Sequence, residues 1–202
     1  MSTKALFVLG GTGIASASAV GGYYVFRPKA ITIKQALKHK KFILESDIRQ
    51  WEEEFKSDKE NIKSEIKELN GVDDKDGPTQ LKSWCKQQMN LDLEKNPQSL
   101  ELVKKYCLIR DLASQLLRTG KNLLTGSSSE EDWKSTYTKR KAKTNTRGDI
   151  GLTGSEWKET EDLEFIKSWC GIHSKEDFLA SDNNSKYTQL LKWCTKEGAQ
   201  TE

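Results

Sequence analysis

The sequence predicts an all-α protein, with an N-terminal hydrophobic helix followed by a small helical-bundle body built from two diverged tandem helical-hairpin repeats. Three observations support this prediction. Apolar residues recur with helical spacing along the body, the 202 residues include only three prolines, and short aromatic–cysteine segments recur at regular intervals. Hydrophobic residues make up 35% of the chain and charged residues 31%, which is lean for a large enclosed active site or a buried parallel sheet.

The first predicted element is a hydrophobic helix at the N-terminus. Residues 5–26 contain no charge, and a helix of that length spans roughly 33 Å, enough to cross the hydrocarbon core of a bilayer. Aromatic residues and then Arg27 and Lys29 follow, as at a membrane interface. Residues 1–27 are therefore predicted to be either a transmembrane anchor or a signal peptide, the latter cleaved at one of two A-x-A sites between residues 15 and 19.

Residues 28–43 form a predicted basic juxtamembrane segment. Residues 1–43 contain seven basic residues and no acidic one, although the whole chain has a formal net charge of only +3. The remainder is therefore net acidic, so binding to nucleic acid is not expected. Six of the seven basic residues follow the hydrophobic segment, and the positive-inside rule would then place the body in the cytoplasm. The cysteines favour the opposite orientation.

Four cysteines, each preceded by an aromatic residue, divide the body into two similar halves. They are Cys85 and Cys107 in the first half and Cys170 and Cys194 in the second. Both halves also carry a W-x-x-x-aromatic pattern upstream, so a unit of roughly 85 residues is predicted to occur twice. The predicted organisation is repeat 1 over 44–120, a linker or basic loop over 121–154 and the helical remainder of repeat 2 over 155–202, with repeat 2 as a whole covering about 125–198.

Helical spacing and capping residues predict the individual helices of the first half. Two helices are predicted around Trp51 and Ile62, with Ser46 and Ser57 as their N-caps. Thr79 is predicted to cap a short helix that carries Cys85. A longer helix is expected to open at Pro97, run to about Arg118 and end at Gly120. In the second half, helices are predicted over 162–170, 174–180 and 185–196.

The cysteine spacing predicts two disulfides within hairpins. In an antiparallel helical hairpin, residues equally distant from the turn lie level with each other. The midpoint of Cys85 and Cys107 falls beside Pro97, and the midpoint of Cys170 and Cys194 falls in the polar run 181–185. We therefore expect the bridges Cys85–Cys107 and Cys170–Cys194. The alternative is four reduced cysteines that act as small apolar core residues.

The sequence offers no constellation for catalysis. Nucleophile-elbow, metalloprotease, phosphate-loop and closely spaced cysteine motifs do not occur. We therefore expect no enzyme activity, no catalytic residues, no metal and no cofactor. Trp157 lies among polar neighbours and does not follow the repeat, so it is the one residue predicted to be an exposed contact residue.

These features resemble a known group of proteins. The glycine- and alanine-rich leader that begins Met-Ser-Thr-Lys-Ala-Leu, the spaced Trp51 and the Lys-Ser-Trp-Cys segments are similar to those of the expanded paralogous families of uncharacterised proteins of haemotropic mycoplasmas. The resemblance covers most of the chain and carries no catalytic residues. It implies a membrane-anchored or exported protein of a wall-less bacterium that lives on red cells, and a variable antigen as one form of such a protein.

The sequence thus predicts a non-enzymatic surface protein, either held in the cell membrane with an extracellular body or secreted. Its expected partners are membrane lipid, through the N-terminal helix, and a host-cell or immune molecule. The alternative is a membrane-anchored adaptor that faces the cytoplasm and binds an anionic partner through its basic segments, including the run 134–147.

Overall fold

The computed structural model describes residues 30–143, 146–182 and 185–200, and the fold within these ranges is helical. Its nine α-helices are α1 (Ile33–Ala36), α2 (Ile48–Lys56), α3 (Lys59–Glu65), α4 (Gly77–Met89), α5 (Pro97–Tyr106), α6 (Leu112–Arg118), α7 (Glu130–Lys141), α8 (Glu159–His173) and α9 (Ser185–Cys194). Short 3₁₀ segments occur at Lys67–Leu69, Arg147–Ile150, Ala180–Asp182 and Lys196–Ala199. The all-α prediction is confirmed for the described part of the chain.

The predicted hydrophobic helix lies outside the described residues, which begin at residue 30. Among the helices that the structure does describe, none is both long enough and apolar enough to cross a membrane.

Buried apolar side chains form two clusters. The first cluster draws its buried members from residues 33–107 and the second from residues 112–194. α1 lies within the predicted juxtamembrane segment, yet its Ile33 is fully buried in the first cluster. α6 contributes Leu112 and Leu116 to the second cluster. The two clusters therefore divide between Cys107 and Leu112, whereas the sequence prediction puts the end of the first unit at residue 120.

The same backbone hydrogen bonds occur at corresponding places in residues 31–109 and in residues 110–196, the two halves of the body. In each half, the start of the first helix (α1 or α6) pairs with the segment after the first cysteine. The segment before the next tryptophan-bearing helix (α2 or α7) pairs with the residues around the second cysteine. The pairs in the first half are Ile33 N→Leu91 O, Leu93 N→Ile31 O, Ile43 N→Cys107 O and Ile109 N→Lys41 O. Those in the second half are Leu112 N→Glu176 O, Phe178 N→Arg110 O, Leu124 N→Cys194 O and Lys196 N→Asn122 O.

These pairings correct two of the predicted helices. The helix that opens at Pro97 ends at Tyr106 rather than near Arg118, because the residues after Cys107 leave the helical path to pair with the segment before α2. Asp111 then caps α6 as a separate helix. The helix predicted over 174–180 is wrong as well, because that stretch pairs with the start of α6.

The basic stretch predicted as a loop contains α7. Ser129 caps it by accepting a hydrogen bond from the backbone N–H of Asp132 at 3.2 Å. Three acidic residues occupy its first turn and three basic residues its last turn, which suits the helix dipole at both ends. This charge order is the sequence signal that indicates the helix. Asp47 rather than Ser46 caps α2, and Asp58 rather than Ser57 precedes α3. Thr79, predicted as an N-cap, lies inside α4, which begins at Gly77.

The C-terminal 3₁₀ segment is packed closely against the end of α9. A Cβ atom added at Gly198 would lie 2.8 Å from the carbonyl oxygen of Leu191 and closer still to that of Lys192. Because these are backbone atoms, they cannot move aside cheaply. We expect Gly198→Ala to lower the free energy of unfolding by about 2 kcal/mol in a urea titration. Gly148→Ala, which meets nothing within 4 Å, is the control. Equal stability of the two variants would contradict this packing.

Candidate functional site

One disulfide joins the two helices of each hairpin at the aromatic–cysteine segments. Cys85 on α4 is bonded to Cys107 at the end of α5, and Cys170 on α8 is bonded to Cys194 on α9. The Cα atoms are 5.7 Å apart in both bridges, and all four cysteines are buried. The predicted pairing is confirmed, and the four cysteines are accounted for by these two bonds.

The aromatic residues beside the cysteines are core residues. Trp84, Tyr106, Trp169 and Trp193 are all buried, each in the same cluster as the cysteine beside it. Burial raises the pKa of the Tyr106 phenol to about 12, and a hydrogen bond of 2.9 Å to Glu65 holds its proton. These aromatic rings therefore fix the hairpins rather than face a partner.

Trp157 is half-buried, so the prediction that it is exposed is wrong. Its ring stacks on Trp193, with 6.4 Å between centroids and an interplanar angle of 16°, and meets Tyr137 edge-on at 5.3 Å. The Arg147 guanidinium lies over the Trp157 ring, 4.9 Å from its centroid, in a cation–π interaction. Trp157 thus closes the second cluster over α9. A role in contact with a partner stays a prediction.

Arg147 and Asp162 hold the loop that carries Trp157. The guanidinium donates to both carboxylate oxygens of Asp162, at 2.6 Å and 3.1 Å, and to the carbonyls of Thr153 and Gly154. Asp162 also accepts a hydrogen bond from the backbone N–H of Lys158 at 3.0 Å. Because the donors of Arg147 are directed to these acceptors, the pair organises the loop rather than offering a charge to a ligand.

A cleft of about 590 Å³ lies beside this loop. Polar groups line most of it, and Phe165, which is 40% exposed, supplies an apolar edge. Burial and the neighbouring Asp162 raise the pKa of the Tyr137 phenol to about 12, so the phenol stays protonated near neutral pH. The Arg147 and Asp162 side chains that line the cleft are already paired with each other, so they offer it no free charge.

Exchanging Arg147 for lysine tests whether the guanidinium organises the loop. Lysine keeps the charge but cannot donate to a carboxylate and two carbonyls in the fixed geometry of a guanidinium. We expect Arg147→Lys to lower the free energy of unfolding by about 2 kcal/mol. The reverse exchange at an exposed position, Lys141→Arg, should change it by less than about 0.5 kcal/mol. A loss at Arg147 no larger than that of the control would refute the assignment.

A buried ionic network joins the two halves of the chain. Glu54 on α2 has a fully buried side chain and contacts the guanidinium groups of Arg110 and Arg118. Arg118 lies 2.6 Å from Glu54 and 2.8 Å from Asp58, and both arginine side chains are about one-tenth exposed. Burial raises the pKa of the Glu54 carboxyl and the Arg118 guanidinium lowers it. Because two guanidinium groups contact the carboxyl, the carboxylate is the form that this site holds.

A second buried polar residue on α2 also joins the halves. Gln50 donates to the carbonyl of Phe178 at 3.2 Å and accepts from the backbone N–H of Ala180 at 2.8 Å. The exposed pair of Lys41 and Asp177 lies across the same boundary. The halves are therefore joined mostly by polar contacts, in contrast to the apolar interior of each cluster.

Sequence reasoning missed both networks, although one signal pointed to the first. Glu54 lies three residues after Trp51 and one before Phe55, on the apolar side of α2. An acid in that position needs a cationic partner when buried. Nothing in the sequence identifies the partners, because Arg110 and Arg118 are more than 50 residues away.

The described residues contain no group of three His, Cys, Asp or Glu side chains arranged to hold a metal ion. Comparison with protein-family models, with curated proteins and with solved structures found no match.

Proposed function

We propose that this chain is a non-enzymatic surface protein, held in the cell membrane through residues 5–26 with an extracellular body, or secreted after cleavage of that segment. The observation that carries the proposal is the pair of buried disulfides. Such bridges persist in oxidising compartments outside the cytoplasm and are rare within it. The uncharged N-terminal segment supplies a route to that side of a membrane.

The proposed role is host interaction or antigenic variation, as the resemblance to the haemotropic-mycoplasma families implies. The exposed faces of the helices would vary while the buried framework of aromatic residues and cysteines holds the fold. The alternative, an adaptor that faces the cytoplasm and binds an anionic partner, draws on the basic run 134–147. In that run Arg140 is only 1% exposed and Arg147 is paired with Asp162, which leaves fewer cations for a partner.

We further propose that the body is a tandem duplication, with units of about 31–109 and 110–199. The corresponding backbone hydrogen bonds, the corresponding disulfides and the two clusters of buried residues support this division. Compared with the boundaries predicted from the sequence, this division adds α1 to the first unit and transfers α6 from the first unit to the second. Each unit then begins with a short helix whose N-cap, Thr32 or Asp111, forms a β-bridge with the segment after the first cysteine of that unit.

Protease treatment of cells that express the full chain with a C-terminal epitope tests the placement. We expect a protease added outside intact cells to remove the epitope, while a cytoplasmic control protein survives. Protection of the epitope in intact cells, with cleavage after lysis, would contradict an external body. The intact mass of the purified protein separates the two forms of the proposal, because a cleaved leader removes between about 15 and 30 residues.

A further inference from the structure

We propose that Lys34, Lys38 and Lys40 form a cationic surface that binds anionic lipid headgroups beside the point where the N-terminal segment enters the bilayer. The inference rests on the proposed membrane anchorage. It deepens that proposal by assigning a second, electrostatic contact with the membrane to α1 and the turn that follows it, with lipid phosphates as the ligands.

α1 is held rigidly enough to present a defined surface. Thr32 and Gln35 form a capping box, in which the Thr32 hydroxyl accepts from Gln35 N at 3.2 Å and the Gln35 side chain accepts from Thr32 N at 2.9 Å. Ile33 and Leu37 are buried in the first cluster. Lys34 lies on α1, Lys38 and Lys40 lie in the turn that follows it, and all three are exposed. The lysines therefore project from a packed element.

None of these three lysines forms a salt bridge within the described part of the chain, and Asp92, which lies beside Thr32, pairs with Lys95. No acidic residue occurs before Glu45, and the neighbouring Lys41 is the member of this basic segment that has a carboxylate partner, Asp177. By contrast, several lysines elsewhere on the body form salt bridges with nearby carboxylates. Lys59 and Lys63, for example, both pair with Asp74. The three ammonium groups thus form a local positive surface on a body that is otherwise net acidic.

The covalent connection keeps this surface near the membrane. Lys34 lies eight positions after Phe26, the end of the uncharged segment, a reach of at most roughly 28 Å when fully extended. Such a short tether gives the lysines a high effective concentration at the bilayer surface. The field of anionic lipids extends over about 8–10 Å at physiological salt. Ile31, which is 57% exposed, lies on this tether and suits the apolar edge of the headgroup layer.

A membrane fits this surface better than a nucleic acid. A long polyanion that reached the three lysines would also meet the acidic remainder of the body. A bilayer presents its charge on one side only, to the part of the protein that the tether holds against it. The geometry therefore favours lipid headgroups as the anionic partner.

The full-length chain is tested by flotation with two kinds of vesicle, phosphatidylcholine alone and phosphatidylcholine with about 30% phosphatidylglycerol, at about 0.05 M and about 0.5 M NaCl. Lysine acetylation on the vesicles, followed by peptide mass spectrometry, reports how accessible each lysine is. We expect acetylation of Lys34, Lys38 and Lys40 to fall at least threefold on the anionic vesicles at low salt and to recover at high salt. Lys67 and Lys75, exposed elsewhere on the body, should not change.

Two charge-matched variants give the control. Lys34→Gln/Lys38→Gln/Lys40→Gln should abolish the salt-dependent part of binding, whereas Lys139→Gln/Lys141→Gln/Lys143→Gln, which removes three charges from the other basic run, should leave it intact. Circular dichroism checks that both variants fold. Equal acetylation on both vesicles, or equal effects of the two variants, would overturn the cationic surface. Failure to float with neutral vesicles would instead contradict the membrane anchor, and a salt-sensitive flotation with anionic vesicles alone would still support the lysines.

Discussion

Replacing Cys170 and Cys194 together by alanine is expected to lower the free energy of unfolding by about 3 kcal/mol. The bridge closes a loop with a sequence separation of 24 residues, and in the chain-entropy model it stabilises the fold mainly by restricting the unfolded chain. Both cysteines are buried, so alanine is chosen rather than serine, whose hydroxyl would be left without a hydrogen-bond partner in the core. Urea denaturation under non-reducing conditions measures the loss.

Single substitutions make the test sharper. Cys170→Ala alone and Cys194→Ala alone each remove the bridge. Each should therefore lower the free energy of unfolding by nearly as much as the double variant does, so the two effects should be strongly non-additive. Cys85 and Cys107 should behave in the same way. Additive losses of similar small size would mean that the cysteines act as independent core residues, as in the reduced alternative.

Replacing Glu54 by alanine is expected to have an effect of similar size, about 3 kcal/mol or more. The substitution removes the acceptor shared by Arg110 and Arg118, whose side chains are 12% and 10% exposed. Two guanidinium groups would then remain close together with little access to water. That arrangement is unfavourable through both desolvation and mutual repulsion.

Glu52 provides the matched control for this prediction. It lies on the same helix, carries the same side chain and is exposed. Glu52→Ala should change the free energy of unfolding by less than about 0.5 kcal/mol. Because Glu54 joins the two halves, its loss should also broaden the unfolding transition as the halves begin to unfold separately. A Glu54 variant as stable as the Glu52 variant would contradict the buried network.

The elements that sequence predicts well depend on local information. Pro97 opens α5 as expected because its fixed φ suits the first turn of a helix. The disulfide pairing follows from the positions of the turns and of Cys85 and Cys107 alone. α9 ends at Cys194, two residues before its predicted end, and it was predictable because Leu190 and Trp193 mark its buried face.

The elements that sequence predicts poorly depend on distant partners. The residues after Cys107 carry an apolar pattern that would suit a continued helix, yet their backbone groups bond to the segment before α2, more than 60 residues earlier. Residues 174–180 are likewise held by α6. In both places the tertiary backbone pairing outweighs local helical preference.

The polar contacts between the halves could not be predicted in the same way. Glu54 is recognisable as an acid on an apolar face, but Arg110, Arg118 and Gln115 lie in a region where the sequence predicts one continuous helix. Their positions depend on where that helix breaks. For Trp157, polar neighbours suggested exposure, whereas Arg147 and Asp162 turn its loop back onto the second cluster.

Non-reducing peptide mapping of the protein isolated from cells that express the full chain tests most directly whether a disulfide closes each of the two hairpins, as the proposed external placement requires. Complete tryptic digestion should give SWCK joined to YCLIR, and SWCGIHSK joined to WCTK. Free thiols on these peptides would contradict the proposed external placement, and a crossed pairing between the two halves would contradict the fold.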